Sequence, residues 1–125
     1  MNPKTILIVE DDHDALVWLM HLVRRAGYRP LTAQDALQAL RVARSDHPDL
    51  ILLDMNLPAG NGEFVLDKIA EQTELYGIPV IGMSGDPNVD GEAVKRLGAC
   101  AFLKKPADNQ DVLDLIERVL DLVSV

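Results

Sequence analysis

Short apolar runs alternate with longer stretches of helical period along the whole chain, five of each, and this alternation leaves few folds open. Thr5–Val9, Tyr28–Ala33, Leu50–Leu53, Ile78–Met83 and Ala101–Lys104 read as strands. Between them, apolar residues recur at helical spacing. The first helix carries Ala15, Trp18, Leu19, Leu22 and Val23, and the second Ala36, Leu37, Leu40 and Ala43. Val65, Leu66, Ile69 and Ala70 mark the third, and a weaker set from Val89 to Leu97, interrupted by Gly91, marks the fourth. Val112, Leu113, Ile116, Val119, Leu120 and Val123 give the fifth, with Asp108 as its N-cap. Strict strand–helix alternation demands a parallel sheet with helices on both faces, so the fold class is α/β, doubly wound. Leu50–Leu53 has no polar residue and suits burial on both faces. Pro30 cannot donate to a ladder, which places the second strand at an edge.

The 125 residues fit one domain, expected to span 1–125 with a core of about 4–123 and no output domain. Lys and Arg number 12 against 20 Asp and Glu, a net charge of −8. That argues against a nucleic-acid surface and against anionic lipid. A single cysteine, Cys100, excludes an internal disulfide, and its small apolar character leads us to expect it buried. The sequence has no apolar run long enough for a membrane span and no signal-peptide pattern, so the expected location is cytoplasmic.

In such sheets ligands bind outside the carboxyl ends of the strands, where strand order reverses. The polar residues there are therefore the informative ones. Glu10-Asp11-Asp12-His13-Asp14 follows the first strand, and Asp54-Met55-Asn56 the third. Ser84-Gly85-Asp86 follows the fourth and Lys105-Pro106 the fifth. If the first and third strands are neighbours, Glu10, Asp11 and Asp54 converge. Carboxylates at ~4 Å repel by roughly 1–4 kcal/mol per pair, depending on the local dielectric. A divalent cation removes that repulsion, and an all-oxygen donor set favours Mg2+. His13, His21 and His47 are not spaced to act as ligands together and read as surface residues. A carboxylate beside Mg2+ can be a nucleophile toward phosphorus. The equatorial phosphoryl oxygens then need partners, which Mg2+, Lys105 and the Ser84 hydroxyl can supply.

With these segments in order, the chain resembles the receiver domain of bacterial two-component response regulators. The resemblance runs through Ile6–Asp12, Pro48–Pro58, Met83-Ser84-Gly85, Leu97-Gly98-Ala99 and Lys105-Pro106. It implies a flavodoxin-like five-stranded parallel sheet of order 2-1-3-4-5. By position, it makes Asp54 the phosphoacceptor and Asp11 a direct Mg2+ ligand, with Glu10 reaching the ion or its water. Asn56 would lend its backbone carbonyl to the metal. Ser84 is the matching switch hydroxyl, Lys105 the matching phosphoryl-pairing lysine, Phe102 the matching aromatic switch, and Lys105–Pro106 the matching cis bond. The implied function is a phosphorylation-activated signalling switch, charged by a histidine kinase or histidine phosphotransfer domain. It is not an enzyme beyond its own phosphorylation and dephosphorylation. The Ser84–Gly98 stretch is about one residue shorter than is common in the family, so helix four is expected to be short or displaced. Ala107 stands where an aromatic is frequent. Asn56 and Asp86 hold positions that tune dephosphorylation.

Plainer readings stand beside these. Asp12 and Asp14 are expected to cap the first helix or face water. Leu16, Val17 and Met20 are apolar yet fall off the first helix's chosen core face, so Leu16 and Met20 are expected to dock the phosphoryl donor. Leu115 and Leu122 form a similar stripe, pointing to an output partner or a weak dimer of an otherwise monomeric protein. The alternatives are a receiver excised from a larger regulator or hybrid histidine kinase, and a Mg2+-dependent phosphohydrolase. The phosphohydrolase reading suffers because the candidate nucleophile, Asp54, follows the third strand instead of the first and lacks the Asp-x-Asp pairing such enzymes use, and because there is no cap insertion for a substrate pocket. A flavin carrier on the same topology suffers because the four carboxylates after the first strand would repel a flavin phosphate.

Overall fold

The computed structural model describes residues 2–58 and 61–123. Five strands, β1 (Thr5–Val9), β2 (Arg29–Ala33), β3 (Leu50–Asp54), β4 (Val80–Ser84) and β5 (Ala101–Lys104), alternate with five helices. The helices are α1 (His13–Arg25), α2 (Ala36–Asp46), α3 (Asn61–Glu71), α4 (Gly91–Arg96) and α5 (Asn109–Val123). All strand pairs are parallel, in the order β2-β1-β3-β4-β5. The doubly wound order and the edge position of the Pro30-bearing strand match the sequence reading.

Successive side chains of a strand point to opposite faces, and the core divides accordingly. Leu7, Val9, Ile51 and Leu53 pack with α2, α3 and α4 residues, including Ala39, Leu40, Val65, Leu66 and Val94. Ile6, Ile8, Leu50, Leu52, Ile81 and Met83 pack with Leu19, Val23, Ile116 and Val119 from α1 and α5. Caps fix where the helices begin. Asp12 accepts from the Ala15 N–H, Asp35 from Gln38 and Asp108 from Asp111.

Several expectations change. The core face of α1 is centred on Leu19 and takes in Leu16, Leu22 and Val23. Trp18 and Met20 lie about 100° to either side of Leu19 and form the flanks. Leu16 is therefore buried at 7% exposure, whereas Trp18 is 40% exposed. The Trp18 indole N–H donates to Asn109 Oδ1 at 2.9 Å, so its polar edge belongs at the rim between α1 and α5. Leu37 is 69% exposed because α2 packs through small residues, Ala36, Ala39 and Ala43, with Leu40. Ala70 is likewise exposed, leaving Val65, Leu66 and Ile69 as the α3 core face. Cys100 is exposed too: its N–H donates to Val80 O at 2.8 Å, and the buried place in that turn goes to Ala99. Pairing in β4 begins at Val80, after Pro79, which has no N–H to give, and runs on to Ser84. As expected, α4 is short, with six residues. Leu115 is half-buried against the core beneath α1 and α5, so of that stripe Leu122 alone is exposed.

Candidate functional site

Strand order reverses between β1 and β3, and their carboxyl ends open one crevice. The Glu10 N–H donates to Ala33 O at 3.0 Å, which carries the β1–β2 ladder one residue past the strand. That holds Glu10 at the sheet edge with 1% of its surface exposed. Asp11 follows in the open, while Asp12 is committed to capping α1. Asp54 is the last, buried residue of β3, and its Oδ1 accepts the Asn56 N–H at 2.9 Å. Ser84, the last residue of β4, is also buried. Its Oγ accepts the Asp86 N–H at 3.0 Å and its hydroxyl donates to Asn56 Oδ1. The Lys105 N–H donates to Ser84 O at 2.9 Å, bringing the lysine over the crevice, and Lys105–Pro106 is cis.

Glu10, Asp11 and Asp54 each offer an oxygen within 4.8 Å of the others. The Lys105 ammonium lies 2.6 Å from Glu10 Oε1 and 3.8 Å from Asp54 Oδ2. Its primary partner is thus Glu10, a pairing the sequence reading did not foresee. Burial pushes the Glu10 carboxyl up to about 7; the adjacent Asp54 pushes the same way, and Lys105 opposes both. Glu10 Oε2 is buried with no hydrogen-bond partner among the described residues. An orphaned buried carboxylate oxygen among converging carboxylates is the environment a hard cation satisfies, and this acidic cluster could hold one.

The structure brings together Glu10, Asp11, Asp54, Asn56, Ser84 and Lys105. Phe102 lies apart from them, half-buried on the α4 side of β5, with its ring against Gly91. The expected docking pair does not form a surface, since Leu16 is buried and Met20 packs half-buried on the same core. An apolar cavity of about 380 Å3 opens instead beside Lys105, lined by Trp18, Leu19, Met83, Leu103, Pro106 and Ala107 among others. The link between Ser84 and the Asn56 amide also went unseen, because the two lie 28 residues apart and meet only through the β3–β4 pairing.

The family model for the response regulator receiver domain matches residues 6–117. The chain belongs to the response regulator receiver domain family. Sporulation initiation phosphotransferase F of Bacillus subtilis (strain 168) is 32% identical over 124 residues, covering 99% of this chain and 98% of its own length. The polar-differentiation response regulator DivK of Brucella ovis is 33% identical over 118 residues, 94% of this chain and 96% of its own. Among solved structures, a CheY-like response regulator receiver domain protein from Methanospirillum hungatei JF-1 superposes with a TM-score of 0.89 at 28% identity, covering 98% of this chain and 97% of that one. As a receiver domain the chain is a phosphorylation-activated signalling switch. No helix among the described residues is long and apolar enough to cross a membrane.

Proposed function

We propose that this receiver takes a phosphoryl group from a phosphohistidine donor onto Asp54 in a Mg2+-dependent reaction, and that the loaded state changes its protein contacts. The observation that carries this reading is a convergence at one sheet edge. Asp54 lies with two further carboxylates whose oxygens fall within 4.8 Å, and with the Lys105 ammonium at 3.8 Å. An Asp54 oxygen attacks phosphorus in line with the P–N bond. The P–O bond forms, the P–N bond breaks, and the imidazole leaves with its electron pair and is protonated by solvent. Glu10, Asp11, Asp54 and the Asn56 carbonyl would hold the ion. Bound there, the ion would supply charge neutralisation for the carboxylates and the incoming phosphoryl group. Lys105 is already in the pocket and pairs with a second oxygen as a mobile point charge. The Ser84 hydroxyl serves the third, and Phe102 carries the rearrangement toward α4. The cavity edged by Trp18, Pro106 and Ala107 lies beside Lys105, which favours a donor approaching from the α1 side. The chain's only chemistry is then its own phosphorylation and dephosphorylation.

Intact-protein mass spectrometry after incubation with acetyl phosphate and Mg2+ tests this. The expected result is a gain of one phosphoryl group, abolished by EDTA and by Asp54→Asn. A gain that persists in D54N rejects Asp54 as the acceptor, and no gain in the wild-type protein rejects the reading as a whole.

A further inference from the structure

Two of the pocket's groups end on one exposed residue. Asn56 holds Asp54 from its backbone, N–H to Oδ1 at 2.9 Å, and holds Ser84 from its side chain, where Oδ1 accepts the hydroxyl proton. Ser84 has one proton to give, and its oxygen already accepts the Asp86 N–H at 3.0 Å. The single hydroxyl proton is therefore already committed before any phosphoryl group arrives. A phosphoryl oxygen on Asp54 requires that same proton, so the two acceptors compete for it. Asn56 is exposed, and its amide oxygen regains water when it releases Ser84, which makes the exchange reversible.

We propose that the Asn56 side chain is a positioning residue of the switch, a latch that acts through Ser84. It keeps the Ser84 hydroxyl turned away from Asp54 in the unphosphorylated state and must let go when the phosphoryl group binds. This rests on the reading of Asp54 as the acceptor. It adds a role for the Asn56 amide that is separate from its backbone carbonyl.

The test is a double-mutant cycle on the full chain with beryllofluoride, a non-transferable phosphoryl mimic, titrated by calorimetry in saturating Mg2+. Asn56→Ala removes the competing acceptor and should tighten beryllofluoride binding about threefold to tenfold, the value of one neutral hydrogen bond. In a Ser84→Ala background the same substitution should change nothing, because no hydroxyl is left to release. An equal effect in both backgrounds, or none in either, overturns the latch. A second readout needs no phosphoryl mimic. In the ligand-free protein, Asn56→Ala should shift the Asp86 amide resonance, since that N–H donates to the Ser84 oxygen, and an unmoved resonance also overturns the latch. A wild-type protein that fails to bind beryllofluoride overturns the acceptor reading beneath it, an outcome distinct from a wild type that binds with N56A unchanged.

Discussion

Glu10 is held by opposing demands. The β1–β2 ladder buries its carboxyl, burial favours the proton, and Lys105 favours the charge. Because its folded value rises to about 7 from an ordinary 4.5, the native state keeps a proton that the unfolded chain has lost between those pH values. The metal-free protein should therefore lose stability as pH rises from about 4.5 to about 7 and level off above that. Thermal unfolding in EDTA across this range reads the effect, and Glu10→Gln should flatten the profile. A cation that needs the carboxylate must displace the proton, so Mg2+ should raise Tm more at pH 7.5 than at pH 5. Asp54 carries a related tension. Asp54→Asn removes one of three converging carboxylates and should stabilise the metal-free protein by about 1 kcal/mol in urea unfolding while abolishing phosphoryl uptake. A destabilised D54N protein would show that Lys105 outweighs the repulsion.

At the scale of elements, α4 is the segment most exposed to packing constraints. It is six residues long, and its first residue, Gly91, lies so close to β5 that an added Cβ would sit 2.7 Å from Phe102 Cδ2. Gly91→Ala should therefore destabilise by about 1 kcal/mol, although alanine is the better helix former. In a Phe102→Ala background the sign should invert, with G91A stabilising by a few tenths of a kcal/mol. Urea unfolding of the four proteins gives the cycle, and a destabilising G91A in both backgrounds would refute the contact. The same scale shows what the sequence made legible. The order of strands and helices, caps at Asp12 and Asp108, and the edge position of Pro30 follow from local chemistry, and local chemistry is printed in the chain. The phase of α1 was not legible, because the face centred on Leu19 has an apolar residue on either flank and only the packing of α5 decides between Leu16 and Trp18. Cys100 misled for a similar reason: a small residue in a turn goes in or out according to its neighbour, here Ala99. Pairings between strand-end residues far apart in sequence, such as Lys105 with Glu10, need the assembled sheet.

For the whole molecule, one sheet serves two cores, and neighbouring residues of β1 feed opposite sides of it. Leu7 lies in the core beneath α2, α3 and α4, and Ile8 in the core beneath α1 and α5, both fully buried. Leu7→Ala and Ile8→Ala should each cost about 3 kcal/mol, with circular dichroism and tryptophan fluorescence reporting one coincident transition. Two separated transitions would mean that the faces fold independently. The shared sheet also lets an event at its carboxyl edge reach surfaces on both sides: Asp54 and Ser84 end central strands, while Lys105 follows the edge strand β5. That edge is where the central claim is most directly measured. Borohydride reduces an aspartyl phosphate to homoserine and leaves a free aspartate untouched. After phosphorylation with acetyl phosphate and Mg2+, reduction and digestion, peptide mass spectrometry should find homoserine at position 54 alone. Homoserine at position 11, hydroxynorvaline (the product a glutamyl phosphate would give) at position 10, or phosphate retained on a serine or histidine, would contradict the account.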